Sequence, residues 1–271
     1  MIGKIFKYFR RLLPCSVKLR IASLRCKIFN IFSLVIVETS SACNRRCSYC
    51  PNSKFDRGLP GNNKKLSRDL FHKIIDELDE SRWFGQIQFN FYNEPLLDER
   101  LPEFVKYARS KLPTSSIIIY TNGDFLTIEL YKRLIESGVT DFLITKHQSG
   151  ESENINKLLE YRKVNGKDRT GVIYRELKEF TNRGGLVQLS AEDKRPKRCL
   201  WGFYSFIVNH EGEAVLCHND YFNSVELGNL KDENMIDIWN KPHYKQLREQ
   251  LKRGRFEHEM CKKCALGKLD S

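Results

Sequence analysis

Three closely spaced cysteines are the strongest chemical signal in the chain. Cys43, Cys47 and Cys50 lie in the segment C-N-R-R-C-S-Y-C. Three thiolates at this spacing can bind three irons of a four-iron cluster and leave the fourth iron open to another ligand. A zinc site would need four ligands, and no fourth ligand lies nearby in the sequence. The spacing therefore favours an iron–sulfur cluster whose open iron takes part in chemistry.

A second group of cysteines lies in the last third of the chain. It consists of Cys199 and Cys217, followed by Cys261 and Cys264 in the segment C-K-K-C. Four thiolates complete the coordination of a metal centre, which suits a structural or electron-transfer role. A four-thiolate site with one C-x2-C pair is also typical of structural zinc. Both an auxiliary iron–sulfur cluster and a zinc ion therefore fit this group.

Alternating strand and helix patterns predict the elements that position these cysteines. Apolar and β-branched runs predict strands over residues 34–38, 86–91, 116–120, 141–145, 171–175 and 186–190. Helical periodicity predicts helices over residues 67–80, 101–110, 128–137 and 153–163. Repeated β-α units imply a parallel sheet with right-handed crossovers, either open or curled into a partial barrel.

Polar residues follow the first four predicted strands. In parallel α/β folds the active site lies at the C-terminal ends of the strands. Cys43 follows the first strand, and we expect the other polar groups to meet it at the same rim. They are Asn93, Glu94 and Pro95 after the second strand, Thr121 and Asn122 after the third, and Lys146 and His147 after the fourth.

After about residue 195 the pattern changes to short strands over 203–209 and 213–217, followed by a helix over 235–251. This segment is too small for a large core of its own, and a metal cross-link would stabilise it. We therefore predict three regions: an N-terminal extension over 1–33, an α/β domain over 34–192 and a small α+β domain over 193–271.

Composition indicates a soluble globular protein, with 41% hydrophobic and 30% charged residues among 271. Nine cysteines and no signal peptide favour a reducing compartment, so we expect a cytoplasmic location. The net charge of +12 comes mainly from the N-terminal extension, where no acidic residue precedes Glu38. No recognisable RNA-binding motif accompanies the charge, which disfavours RNA modification.

The N-terminal extension has the pattern of a basic amphipathic helix. Its apolar residues are Ile2, Ile5, Phe6, Phe9, Leu12 and Leu13. Such a helix can lie on an anionic membrane surface, so residues 1–32 are a candidate for peripheral contact at the inner face of the membrane. The alternative is a cap helix that packs on the main domain. Charges interrupt every apolar run, which excludes a transmembrane span.

The cysteine loop resembles the signature of the radical S-adenosylmethionine (radical SAM) superfamily, C-x3-C-x2-C with an aromatic residue, Tyr49, before the last cysteine. The resemblance implies a partial (β/α) barrel and a [4Fe-4S] cluster on Cys43, Cys47 and Cys50. It also implies that SAM chelates the open iron and yields a 5′-deoxyadenosyl radical that removes a substrate hydrogen. Tyr49 is expected to lie against the adenine.

Further SAM-binding residues follow from the same resemblance. Residues 91–95, F-Y-N-E-P, occupy the place of the family's Gly-Gly-Glu-Pro stretch, which receives the SAM amino group. Asn93, Glu94 and Pro95 are therefore predicted to bind SAM, although both glycines are replaced here. The segment of Thr121 and Asn122 resembles one often found at the third strand. The remaining predicted cofactor-binding residue is Arg175.

The C-terminal region resembles the twitch domain, a shortened SPASM domain that carries one auxiliary [4Fe-4S] cluster. Twelve residues separate Cys199 from Gly212, and four more separate Gly212 from Cys217. The spacing of the four cysteines is similar to that of radical SAM dehydrogenases of aminocyclitols, in which the auxiliary cluster takes an electron as an alcohol becomes a ketone. The basic extension is a departure from those enzymes.

These features predict a radical SAM oxidoreductase that acts on a sugar, an aminocyclitol or a carrier-linked glycan. By resemblance, its reductant is a flavodoxin or a ferredoxin. Lys146, His147 and Arg183 are the candidate catalytic residues. The alternatives are a radical SAM maturase of peptides and a non-catalytic iron–sulfur protein, the latter suggested by the replaced glycines.

Overall fold

The first strand, β1 (Leu34–Val37), consists of four consecutive buried apolar residues. This pattern suits a parallel strand that is covered on both faces. Successive side chains point to opposite faces of a strand. Val35 and Val37 pack in the main core, whereas Leu34 and Ile36 pack in a smaller apolar cluster on the other face, against which Cys50 is packed.

Helices alternate with parallel strands over the next part of the chain. The strands are β2 (Gln86–Gln88), β3 (Ser116–Thr121), β4 (Asp141–Lys146) and β5 (Gly171–Glu176). The helices are α1 (Arg68–Glu80), α2 (Leu101–Lys111), α3 (Ile128–Ser137) and α4 (Glu153–Val164). Ser67 caps α1 by accepting a hydrogen bond from the Leu70 N–H at 3.2 Å, as its residue type predicts.

The C-terminal region continues the same sheet. Its elements are α5 (Trp201–Tyr204), β7 (Ser205–Val208), β8 (Ala214–Val215), α6 (Met235–Asn240), α7 (Pro242–Lys252) and α8 (Glu259–Lys263). The order of the seven-stranded sheet is β5-β4-β3-β2-β1-β7-β8, with β7 parallel to β1 and β8 antiparallel to β7. The predicted α/β and C-terminal units are thus joined by backbone hydrogen bonds.

A separate antiparallel pair connects the middle of the chain with its C-terminal part. It is formed by β6 (Phe180–Thr181) and β9 (Leu266–Gly267). No strand forms over 186–189, so the predicted strand over 186–190 is wrong where the structure describes it. The preceding residues Arg183, Gly184 and Gly185 have φ values of 51°, 66° and 94°, which form a turn and not an extended chain.

The predicted helix over 235–251 is two helices, α6 and α7. The chain breaks at Lys241, whose ψ is 135°, because Pro242 disfavours a helical conformation in the residue before it. The computed structural model describes residues 31–146, 152–166, 170–177, 180–189 and 196–267. The amphipathic pattern of the N-terminal extension and the candidate catalytic residue His147 lie outside these ranges. Within them, no helix is long and apolar enough to cross a membrane.

Residue 32 already belongs to the folded core. The Phe32 ring lies 5.1 Å from the ring of Phe206 and 5.3 Å from that of Trp239, and its carbonyl accepts a hydrogen bond from Trp83 at 2.8 Å. Phe32 is only 1% exposed. Residue 32 is therefore not available for the membrane contact predicted for residues 1–32.

Candidate active site

The cysteine loop that follows β1 is shaped by a carboxylate from another loop. Asp124 lies just after β3 and accepts two hydrogen bonds from Arg45, at 2.6 and 2.7 Å. The same carboxylate accepts a third from Asn44 at 2.6 Å. Paired guanidinium–carboxylate hydrogen bonds fix orientation as well as distance. Asp124 therefore holds the turn between Cys43 and Cys47 in place.

The three thiols of this loop lie close enough to influence one another electrostatically. Burial raises the pKa of all three, that of Cys43 to about 12. The backbone N–H groups of Arg45 and Asn52 donate hydrogen bonds to Cys43 and Cys50, which opposes that rise. A bound metal cation reverses this balance, because a coordinating thiol is deprotonated. The partly buried, all-sulfur donor set thus fits an iron–sulfur cluster.

Glu94 lies beside this loop, in the segment that follows β2. It is 2% exposed, its backbone N–H donates to the carbonyl of Ala42, and its charge contributes to raising the pKa of Cys43. Its Oε1 accepts from Thr121 at 2.6 Å and from the Leu96 N–H at 3.1 Å, and its Oε2 accepts from the Asn122 N–H at 2.8 Å. A carboxylate has about four acceptor positions, so roughly one on Oε2 is left for a ligand. Burial raises the pKa of Glu94 to about 7.

Thr121 and Asn122 contact the loop network. The Thr121 hydroxyl donates a hydrogen bond to Glu94. The Asn122 side chain donates to Asn44 at 2.9 Å and accepts from the Asp124 N–H at 2.9 Å. Both residues therefore orient groups at the rim. Their predicted direct contact with SAM stays a prediction.

Asn93 and Pro95 shape the backbone on either side of Glu94. The Asn93 side chain accepts from the Phe91 N–H at 2.9 Å and donates to the Phe89 carbonyl at 3.2 Å. Pro95 begins a short 3-10 helix, Pro95–Leu97. Both positions brace the turn that holds Glu94 in place.

Tyr49 packs against β6. Its ring centroid is 4.6 Å from that of Phe180 in β6, and its side chain forms a hydrogen bond with Cys47. The expected contact between this ring and adenine is a prediction that the structure leaves open.

The second cysteine group is assembled from three distant segments. Cys199 precedes α5, and Cys217 follows β8. Cys261 lies within α8, and Cys264 directly follows that helix. Electrostatic interactions link Cys199 with each of the other three, so the four thiols converge. Burial raises the pKa of all four, that of Cys261 to about 12.

Asn182 holds the C-x-x-C segment in position. Its side chain donates to the Lys263 carbonyl at 2.7 Å and accepts from the Ala265 N–H at 2.9 Å. Its backbone N–H donates to the Ala265 carbonyl at 3.0 Å. The turn that contains Asn182 is packed so closely on α8 that a Cβ atom at Gly184 would lie 2.5 Å from Met260. A polar N-R-G-G turn is the sequence feature that marks this element.

Arg183 connects the two cysteine groups electrostatically. Burial raises the pKa of Cys50 in the first group and of Cys264 in the second, and the charge of Arg183 opposes both rises. Its guanidinium carbon lies 5.6 Å from the ring centroid of Tyr92. Arg183 adopts φ 51°, a left-handed conformation that is unfavourable for a side-chain-bearing residue and is often found at functional sites.

His218, directly after Cys217, is a residue that the sequence analysis did not select. Burial lowers its pKa to about 3, so its imidazole is neutral. Its ring centroid is 4.7 Å from that of Trp201, and its carbonyl accepts hydrogen bonds from Tyr92 and Arg183. Among the described residues neither His218 Nδ1 nor Arg183 Nε has a hydrogen-bond partner. Two buried polar groups of this kind can bind a polar ligand.

A buried charged cluster, formed by Glu38, Arg57 and His210, joins the two units on another side of the site. Glu38, at the end of β1, is fully buried and pairs with Arg57, and its Oε2 lies 2.7 Å from His210 Nδ1. Arg57 also donates to the Tyr221 carbonyl at 2.9 Å. No sequence pattern marks this cluster, because its members are up to 172 residues apart.

Lys146 and Arg175 lie on neighbouring strands at the edge of the sheet. Lys146 Nζ is 3.6 Å from Glu176 Oε1, and both side chains are substantially exposed. Arg175 is exposed at the end of β5. The predicted roles of both residues stay predictions. Among the described residues no three His, Cys, Asp or Glu side chains are close enough to hold a single metal ion, whereas in an iron–sulfur cluster each cysteine binds a different iron.

Comparison with known families agrees with this arrangement. The Radical SAM superfamily matches residues 37–187, and the SPASM iron-sulfur cluster-binding domain matches residues 199–265. The S-adenosyl-L-methionine-dependent 2-deoxy-scyllo-inosamine dehydrogenase of Niallia circulans is 32% identical over 238 residues, which cover 86% of this chain and 93% of the relative. A tungsten-containing aldehyde ferredoxin oxidoreductase cofactor-modifying protein of Pyrococcus furiosus is 28% identical over 50% of this chain and 41% of the relative.

Solved structures give the same result. The crystal structure of BtrN in complex with AdoMet and 2-DOIA superposes with a TM-score of 0.78 at 30% identity, over 86% of this chain and 93% of that one. Native anSMEcpe with bound AdoMet and Cp18Cys peptide has a TM-score of 0.50 at 14% identity, over 85% of each chain, and shares the fold alone.

The predicted α/β partial barrel with a small C-terminal SPASM-type domain is thereby confirmed, and the non-catalytic and zinc alternatives are set aside. The chain belongs to the radical SAM superfamily, as an oxidoreductase whose cofactors are SAM, a SAM-binding [4Fe-4S] cluster and an auxiliary [4Fe-4S] cluster.

Proposed function

We propose that this oxidoreductase converts a secondary hydroxyl of an aminocyclitol, or of a closely related amino sugar, into a ketone. The relative at 32% identity is named for the dehydrogenation of 2-deoxy-scyllo-inosamine. The observation that carries the proposal is the position of Arg183, which interacts with Cys50 of one group and Cys264 of the other. A substrate beside Arg183 would lie between the two cluster sites.

The first cysteine group would hold the SAM-binding cluster on Cys43, Cys47 and Cys50, and Cys199, Cys217, Cys261 and Cys264 would hold the auxiliary one. When bound, SAM and the first cluster supply a 5′-deoxyadenosyl radical, which removes a hydrogen atom from the substrate. The auxiliary cluster supplies an acceptor for the electron that remains. Oxidation of an alcohol to a ketone also releases one proton, which a residue or solvent accepts. The remaining acceptor position of Glu94 Oε2 is suited to the ammonium group of SAM.

The neighbourhood of Arg183 suits a hydroxyl-rich ring. Arg183 Nε is a donor, and the neutral imidazole of His218 offers Nδ1 as donor or acceptor, depending on its tautomer. A substrate that carries several hydroxyl groups can satisfy both buried atoms at once. A substrate of purely apolar character would leave both atoms unpaired, as they are in the ligand-free structure, and would gain neither hydrogen bond.

The test is an anaerobic assay with reconstituted protein, dithionite and SAM. The candidate substrates are 2-deoxy-scyllo-inosamine, its analogue without the amine, a hexose and a short peptide. We expect 5′-deoxyadenosine together with a ketone for the aminocyclitol, and Cys43→Ala serves as the inactive control. Oxidation of the peptide alone would favour a maturase, and 5′-deoxyadenosine without ketone from every ring substrate would overturn the proposal.

Two partners belong to the same proposal on sequence grounds alone. A flavodoxin or ferredoxin would reduce the protein, and the basic extension would contact anionic lipid if the substrate is carrier-linked. Deletion of residues 1–30 retains the packed Phe32 and is the suitable variant. Equal sedimentation of the full and shortened chains with vesicles that contain phosphatidylglycerol would count against the membrane contact.

A further inference from the structure

Asn219 makes hydrogen bonds to the sulfur atoms of two predicted ligands of the auxiliary cluster. Its backbone N–H donates to Cys217 Sγ at 3.4 Å, and its side-chain Nδ2 donates to Cys264 Sγ at 3.1 Å. The two cysteines come from segments far apart in the sequence. Asn219 is only 8% exposed, so water has limited access to replace these donors.

The orientation of the Asn219 amide is fixed by a second hydrogen bond. The Thr181 hydroxyl donates to Asn219 Oδ1 at 2.7 Å, which leaves the NH2 group to face Cys264. Thr181 lies in β6 and pairs with Leu266 of β9, two residues after Cys264. The strand pair that flanks the cysteine therefore also positions the hydroxyl that orients the donor.

One kind of hydrogen bond, from a backbone N–H to a cysteine sulfur, recurs in both cysteine groups, and the Asn219 side-chain amide supplements it. The N–H of the residue two positions after the cysteine donates to Cys43, Cys50, Cys199 and Cys217 alike. Among the described residues Cys264 has no donor of this kind, and the Asn219 side-chain amide donates to its sulfur instead. Asn219 thus extends to Cys264 the kind of N–H donor that backbone groups provide to those four sulfurs.

We propose that Asn219 is a positioning residue that raises the reduction potential of the auxiliary cluster. Hydrogen bonds to cluster sulfurs stabilise the more negative, reduced state and are among the factors that set its potential. The effect on potential requires only the auxiliary cluster. The role of this raised potential in the reaction is to favour transfer of the electron that remains on the substrate after hydrogen abstraction, and that role rests on the proposed function.

The experiment is a potentiometric titration of the holoenzyme, followed by the electron paramagnetic resonance signal that SAM leaves unchanged. Asn219→Leu removes the donor and keeps a similar volume. We expect at least a tenfold lower ratio of reduced to oxidised auxiliary cluster at a given potential, which corresponds to about 59 mV for one electron. Thr181→Val retains the amide but loses its orientation, so a smaller shift in the same direction is expected.

The control is Asn209→Leu, which removes a buried amide that bonds Glu213 and no cysteine. Unchanged potentials in Asn219→Leu and Thr181→Val, with full iron content, would overturn the proposal. If Asn219→Leu does not retain the auxiliary cluster, Thr181→Val decides: a more negative potential supports tuning, and an unchanged one assigns Asn219 a purely structural role. The measurement needs no substrate, so its outcome is independent of the proposed reaction.

Discussion

The two cysteine groups are built in opposite ways. The first lies within one short loop, whose shape depends on the Asp124 carboxylate of a neighbouring loop, which pairs with Arg45 and accepts from Asn44. The second brings together three segments, which are held mainly by the neutral amides of Asn182 and Asn219. One site thus has local spacing and charged support, and the other has distant ligands and uncharged support.

This difference separates the tasks that the family assigns to the two clusters. An open site that binds a zwitterionic ligand benefits from nearby carboxylate and guanidinium groups, because these recognise ammonium and carboxylate. A closed site that only exchanges electrons needs a fixed surrounding of N–H donors and low solvent access. The following changes test whether the two sites are as independent as their construction indicates.

Loss of a single cysteine should separate the two sites most clearly. Cys43→Ala is expected to abolish 5′-deoxyadenosine formation, because the SAM-binding cluster is lost. Cys217→Ala should still cleave SAM but form no ketone, because no acceptor for the electron remains. Each variant should fall from about eight to about four irons per chain, measured with sulfide after anaerobic reconstitution.

The control for both variants is Cys26→Ala, which removes a cysteine outside either group. A ketone formed by Cys217→Ala at the rate of the parent protein would contradict the role of the auxiliary cluster. Loss of all iron in either variant would show instead that the two sites do not assemble independently.

Removal of the Asp124 carboxylate should affect the first site alone. Asp124→Ala leaves the half-buried Arg45 without its paired acceptor, at a cost of about 2 kcal/mol. We expect partial loss of the SAM-binding cluster and full retention of the auxiliary one, measured by iron content and by the two electron paramagnetic resonance signals. Asp56→Ala is the control, because Asp56 lies in an exposed turn where its side chain accepts from Asn62, outside both cysteine groups. Equal iron loss from both sites would contradict the expectation.

Asn182 provides the matching test of the second site. Asn182→Ala removes one donor and one acceptor from the C-x-x-C segment, each worth about 1 kcal/mol. The auxiliary cluster should become labile during gel filtration while SAM cleavage persists. Asn182→Asp keeps the acceptor for the Ala265 N–H and should lose less iron. If the two variants retained as much iron as the parent, this amide would not support the site.

These sites also differ in how far the sequence predicts them. The C-x3-C-x2-C spacing is local, so Cys43, Cys47 and Cys50 were visible without a fold. The helices were equally accessible, since Ser67 and Gly138 mark the ends of α1 and α3 where they were predicted. Local capping and periodicity are properties of neighbouring residues, which a sequence displays directly.

The sequence does not show which distant residues support the two cysteine groups. Asp124, Asn182 and Asn219 are ordinary polar residues whose partners lie 79, 81 and 45 positions away. The extension of the sheet by β7 next to β1 was also missed, because short apolar strands do not specify which neighbour they pair with. Such pairings depend on the tertiary fold.

The pKa of Glu94 predicts a pH dependence that belongs to the first site only. Burial raises this pKa to about 7, so the carboxylate is mostly protonated at pH 6 and mostly ionised at pH 7.5. If Glu94 binds the SAM ammonium group, the affinity should rise about eightfold over that interval, as the ionised fraction does. Equilibrium dialysis with the oxidised, cluster-loaded protein measures it. Glu94→Gln should bind weakly at both values, and a wild-type affinity that does not change with pH would exclude the contact.

The raised pKa of Glu94 also affects the stability of the ligand-free protein, which should fall with rising pH where the SAM affinity rises. A carboxyl whose folded pKa lies above its unfolded value binds more protons in the folded state between the two values. Stability should therefore decrease as the pH rises from about 4.5 to about 7, and saturating SAM should offset the decrease. Thermal unfolding at several pH values, with and without SAM, tests the sign.

The smallest expected effect concerns the contact between the two units and not their chemistry. Gly212 has φ 84°, and a Cβ there would lie 2.6 Å from Leu70 in α1. Gly212→Ala combines backbone strain with this overlap, for a loss of roughly 2 kcal/mol of unfolding free energy. Gly61→Ala shares the left-handed backbone, at φ 93°, but meets nothing within 4 Å, so it isolates the strain. If both variants lowered the melting temperature equally, the close packing of the β7–β8 turn on α1 would contribute nothing to stability. A larger decrease for Gly212→Ala, with the iron content and SAM cleavage unchanged, would show that the units are packed together independently of either cluster.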